Sequence, residues 1–198
     1  MLIRRRLQQG ITIVEILISL AIIGIILAFA GPSAGVWIQN TQLRNAADAV
    51  LTGVQTAKLE ALKRNKLVMF KLTDPATTAY DICLYDYVAD DCLTGAANII
   101  GTKSAADVSG DARVSAEITP TSYAAPIAYG AGVPAKFTFD PFGRQAATAA
   151  NNLTRIDIRN PKLSAAQERR LVILISTAGQ IRMCDPKLNL ATNPQGCQ

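Results

Sequence analysis

The residue least at home in its surroundings is Glu15. It lies in a run from Ile11 to Ala30 that is apolar except for Thr12, Glu15, Ser19 and Gly24. A carboxylate in a membrane helix costs about 2–3 kcal/mol at the centre and less near an end, so a partner is expected. A free amine on a neighbouring subunit would serve. Cutting the chain after Gly10 creates one at Ile11, four residues before Glu15. The chemistry indicated is therefore ion pairing between subunits, not catalysis by this chain.

Other chemistries find little material. The chain has no histidine, which removes the usual Ser-His-Asp arrangement and histidine-bearing metal sites. Asp90 and Asp91 are adjacent carboxylates, but without the twelve-residue calcium pattern they read as a solvated turn. Glycine-rich phosphate loops are absent. No enzyme, metal or cofactor is expected. The four cysteines, Cys83, Cys92, Cys184 and Cys197, lack any C-x-x-C spacing. If the chain is exported to an oxidising compartment, an even count suggests two disulfides. Three pairings exist, and the local one, Cys83–Cys92 with Cys184–Cys197, closes short loops.

Several elements must position Glu15. Arg4, Arg5 and Arg6 precede the apolar run. Twenty apolar-rich residues make a helix of about 30 Å, the thickness of a bilayer core. Basic residues on one side only keep that end cytoplasmic and send the rest outward. An uncleaved signal anchor would also explain the arginines and the apolar run, but not Gly10 or Glu15. A secretory signal cut after Ala30 leaves Glu15 without a purpose. Pro32 follows, where a kink or a locally melted turn is expected.

Of 198 residues, 49% are hydrophobic and 18% charged, and the net charge is +5. Loss of the three leader arginines leaves seventeen basic against fifteen acidic residues, or +2. That is too weak a balance to indicate nucleic acid by itself. About 160 residues beyond the membrane run suffice for one domain with a real core.

Residues 37–65 read as an amphipathic continuation of the helix. Leu43, Ala46, Ala47, Val50, Val54, Ala57 and Ala61 recur at three- and four-residue steps. Asn65 suits a left-handed cap, and Trp37 suits a membrane interface. Strands are predicted at 66–72, with Val68, Phe70 and Leu72 on one face, and at 80–85, 136–139, 154–159, 170–176 and 180–184. Residues 90–132, rich in Ala, Gly, Ser and Thr, read as loops with one or two short strands near 114–118. Asp140-Pro-x-Gly143 and Thr177–Gln180 read as turns.

The basic leader, Gly10, Glu15 at the fifth position of the cleaved chain, the apolar run and Pro32 together resemble the type IV prepilin signal. Ile11 is a departure, since phenylalanine or methionine is commoner there. Ala57-Lys58-Leu59-Glu60-Ala61, Arg64-Asn65, Phe139-x-Pro141-x-Gly143 and Ile175-Ser176-x-x-Gly179-x-Ile181-Arg182 resemble the GspH/FimT branch of that superfamily. The resemblance implies an α+β, type IV pilin-like fold: one long N-terminal helix packed on an antiparallel β-sheet domain. It divides the chain into leader 1–10, transmembrane and assembly helix 11–34, and periplasmic domain 35–198, with amphipathic helix 37–65 and β-domain 66–198. It implies cleavage between Gly10 and Ile11 by a prepilin peptidase, N-methylation of Ile11, and assembly through Glu15 and Pro32 with other pilins. The location implied is the inner membrane, single-pass, and then a fibre.

A structural subunit of a type IV pilus or type II secretion system is the function expected. The alternative is a DNA-binding subunit. Some FimT-type proteins use a glycine-arginine-x-arginine motif, whose counterpart here is Gly179-Gln180-Ile181-Arg182, with glutamine in place of the first arginine. Arg182 with Arg144 and Arg155 would form the DNA patch.

Overall fold

The computed structural model describes residues 11–107, 111–118, 122–146 and 153–197; within helix residues 28–33 only the backbone is described. Gly10 therefore lies outside the described residues, as does the side chain of Pro32. The chain divides into two units, Met1–Ile38 and Gln39–Gln198.

Helix α1 runs Ile13–Arg64 and remains helical through residue 32, so the melted turn expected there is not formed. Its start is set by Thr12, whose Oγ1 accepts the Glu15 N–H at 3.2 Å, a cap that satisfies a first-turn donor. At its other end Asn65 takes φ 52°. The Lys66 N–H then reaches back to the Ala61 carbonyl at 3.3 Å. This left-handed C-cap is the one expected of asparagine.

In the second unit Leu43, Ala46, Ala47, Val50, Val54, Ala57 and Ala61 are all buried, as the helical spacing predicts. They pack against two antiparallel sheets. The first has the order β3-β2-β1-β6, from β1 (Val68–Leu72), β2 (Tyr80–Asp86), β3 (Asp91–Cys92) and β6 (Ala135–Phe139); β4 (Ile99–Lys103) also pairs with β2. The second has the order β5-β7-β8-β9, from β5 (Arg113–Glu117), β7 (Arg155–Arg159), β8 (Leu171–Ile175) and β9 (Ile181–Cys184). The antiparallel β-domain packed on a long helix is the one expected, while β3 and β4 fall where only loops or short strands near 114–118 were expected.

Val68, Phe70 and Leu72 enter the main core with Phe137, Phe139, Ile156, Ile158 and Ile173. The Phe70 ring lies 5.5 Å from that of Phe137 and 5.0 Å from that of Tyr80. The Tyr80 ring can lie on the helix because Gly53 is there: a Cβ at that position would fall 2.5 Å from a ring carbon. Its hydroxyl donates to the Ala49 carbonyl at 3.2 Å. Burying a phenylalanine or leucine side chain contributes about 1.5–3 kcal/mol, so these residues dominate the cohesion of the domain. On the opposite face of β1 and β2, Met69, Cys83 and Tyr85 make a small second cluster.

Candidate functional site

From Ile11 to Leu27 every side chain of α1 is exposed, including Ile13 at 79% and Leu27 at 65%. A helix apolar on all sides is stable only when something other than water covers it. Glu15 stands in the first turn of this surface, where a carboxylate meets the positive end of the helix dipole. The Ser19 hydroxyl donates to the Glu15 carbonyl at 2.7 Å. Among the described residues, no helix is long and apolar enough to cross a membrane.

Both expected disulfides are formed, Cys83–Cys92 and Cys184–Cys197. Asp90 and Asp91 are each engaged by a lysine. Asp91 takes the Lys71 ammonium at 2.7 Å and Asp90 the Lys136 ammonium at 3.1 Å. A hydrogen bond from the Tyr85 hydroxyl, then one from Lys136, holds the Asp90 carboxyl below its ordinary range. Burial pushes Asp91 up, but the Lys71 ammonium and the Cys92 N–H outweigh it.

The three arginines expected to share one patch have different surroundings. Arg155 is 2% exposed. Its Nε and Nη2 meet the two Asp157 oxygens at 2.7 and 2.8 Å. Its Nη1 donates to Glu117 at 3.2 Å and to the Ser122 carbonyl at 2.6 Å, and Nη2 also reaches the Ala125 carbonyl at 2.7 Å. Arg155 is thus a buried structural cation, which corrects its expected place at the surface. Arg170, not singled out in the sequence, shares Asp157 at 2.5 Å and donates to the Tyr123 and Ala124 carbonyls at 2.7 and 2.8 Å. Arg182 on β9 is partly buried and donates from Nη2 to the Gly196 carbonyl. Arg144 alone of the three is largely exposed: its side chain is 62% accessible, pairs with Asp140 at 3.0 Å, and lies 5.3 Å from the Phe142 ring centre.

Two sequence-predicted turns do meet. The Gln145 N–H donates to the Thr177 carbonyl at 3.1 Å, and the Lys58 ammonium donates to the Gly179 carbonyl at 2.8 Å. Gly179 has φ 78°, and a Cβ there would stand 1.8 Å from the Gly143 carbonyl oxygen. Asp140 organises its own turn, accepting the Phe142 and Arg144 N–H groups at 2.9 Å each. Burial raises its carboxyl, but the Arg144 and Phe142 N–H groups and the Arg144 guanidinium outweigh that and keep it below its usual value.

A long N-terminal helix with a bare apolar start and a tail end packed on antiparallel sheets defines a type IV pilin-like protein. Comparison with known families agrees. The "Prokaryotic N-terminal methylation motif" matches residues 5–31, and "Type II transport protein GspH" matches residues 46–191. The chain belongs to the GspH family and is a GspH/FimT-like type IV pilin. The solved type IV minor pilin FimU of Pseudomonas aeruginosa has a similar fold, with TM-score 0.50 and 15% identity over 82% of this chain and 99% of that one. No curated protein matches the chain.

Proposed function

We propose that this protein is a non-enzymatic minor subunit of a type IV pilin-type fibre, either a pilus or the pseudopilus of a type II secretion system. A prepilin peptidase cleaves between Gly10 and Ile11, and Ile11 is N-methylated. Residues 11–34 anchor the chain in the inner membrane in a single pass, with the β-domain periplasmic, until the same helix packs among those of other pilins. The observation that carries this reading is the helix surface from Ile11 to Leu27, exposed on all sides with one carboxylate in its first turn. Glu15 would pair with the amino terminus of a neighbouring subunit and set its register, as Pro32 lies within the packing segment.

Intact mass of the protein recovered from membranes tests the processing step. The expected species begins at Ile11 and carries one added methyl group; a chain beginning at Gly31 overturns the reading. Glu15→Ala should leave the domain folded, because Glu15 lies outside its core, yet lower incorporation into the fibre.

A further inference from the structure

At the C-terminal end of α1 the second unit carries an open cleft of about 740 Å³. Lys66, Leu67, Tyr87, Pro141, Arg144 and Gln145 are among the residues that line it. We propose that this cleft binds an acidic peptide segment of another protein, a carboxylate beside an apolar side chain.

Charge complementarity is the first ground. Three of the lining residues bear charged side chains: Lys66, Arg144 and Asp140. Asp140 is occupied by Arg144, so those two cancel. Lys66 is exposed and has no partner among the described residues, so its ammonium supplies an uncompensated positive charge at the rim. An unmatched charge beside low-dielectric walls attracts its opposite more strongly than one in open water.

Duplex DNA is the poorer occupant, because Arg155 and Arg182 are held elsewhere by Asp157 and the Gly196 carbonyl.

The walls suit an apolar side chain and are held in place. Tyr87 is 74% exposed, on the turn between β2 and β3 that the Cys83–Cys92 disulfide closes. Its ring meets Tyr85 edge-on at 5.1 Å, and the Tyr85 hydroxyl ties to Asp90 at 2.7 Å. The facing wall is the 140–144 turn, fixed through Gly143 and Gly179. A preformed concavity loses less entropy when a segment enters it. The proposal concerns the second unit alone and is independent of the processing and membrane steps.

The test uses the full chain in detergent micelles, isotope-labelled for amide NMR, titrated with the capped peptide acetyl-Leu-Asp-Phe-Glu-amide. The expected result is movement of the Lys66, Tyr87, Gln145 and Thr177 amide signals with a Kd of about 1 mM, a value suited to so small a contact. Lys66→Glu should weaken binding about fivefold, the scale of reversing one exposed ion pair. Tyr87→Ala should weaken it as well, and both variants alter exposed side chains, so dispersed spectra should persist. The proposal is overturned if the peptide moves none of these signals. It is equally overturned if acetyl-Leu-Lys-Phe-Lys-amide moves them as much, or if a short DNA duplex moves them at lower concentration.

Discussion

Asp157 takes both Arg155 and Arg170, and the two guanidinium groups in turn collect carbonyls from residues 122–125. Removing the shared carboxylate leaves two buried cations without their counter-charge. Asp157→Ala should therefore cost about 3–5 kcal/mol, read as a lowered urea midpoint, whereas Arg144→Ala, at an exposed pair, should cost under about 1 kcal/mol. Equal effects at the two sites would contradict this account. The network also shows why Arg155 misleads in the sequence. In Arg155-Ile-Asp-Ile-Arg159 the isoleucines alternate with charges, a pattern normally read as one buried and one wet face. Here residues 122–128 cover the charged face, and nothing in that short, mostly small and apolar stretch announces that its carbonyls will do so. Acid behaviour follows from other carboxylates. Asp90, Asp91 and Asp140 are depressed in the folded protein, so their stabilisation is complete above the unfolded aspartate value of about 3.9 and is lost as pH falls through the folded values. Denaturant midpoints should fall steadily between pH 5 and pH 2 on that linkage, by about the expected carboxylate window. Tyr85→Phe, which removes the largest cause of the Asp90 depression, should flatten that decline.

At the scale of elements, local periodicity made most of the domain legible. The buried stripe of α1, the Asn65 cap and strands β1, β2 and β6 to β9 all fall within a residue or two of their predicted places. These are segments whose hydrophobic spacing is strong. β3 and β4 are different, since a two-residue strand and Ile99-Ile-Gly-Thr-Lys103 carry almost no pattern of their own and form because β2 offers them an edge. The cysteine pairing was legible because short loops close at low entropic cost. Each bond restrains the unfolded chain by about 3 kcal/mol on loop-length arguments, so Cys184→Ser with Cys197→Ser should lower stability by roughly that amount. Proteolysis of the 185–197 loop should also quicken, because the bond holds the Asp185–Gly196 bridge and the carbonyl that Arg182 uses. At the meeting of the two turns, Gly179→Ala must place a methyl group on the Gly143 carbonyl and hold a left-handed backbone. A loss above about 2 kcal/mol is expected by differential scanning calorimetry, and an unchanged melting temperature would show that the turns can separate freely.

For the whole molecule, the family and fold were legible from a few punctuating residues: Gly10, Glu15, the apolar run, and the two glycine turns. What the sequence did not disclose was the division of strands into two sheets and the cleft beside Lys66. Both arise only when segments far apart in the chain are brought together. Tyr87 and Arg144, for example, line one cavity although their own neighbours in sequence are unremarkable turn residues.

The clasp at Asn40 has a consequence for timing. Its side-chain amide donates to the Gln167 carbonyl at 2.9 Å and accepts the Arg169 N–H at 2.8 Å, across separations of 127 and 129 residues. Lys58 likewise waits for Gly179, 121 residues on. The helix that emerges early during synthesis is thus completed by strands that emerge late. Contacts of such long range slow folding, because loop-closure entropy must be met before they form. Until β8 and β9 are in place, Leu43 to Ala61 have no finished core to enter. On the proposed export route the chain is then a client in need of shelter for most of its passage, and the risk of aggregation is concentrated in that interval.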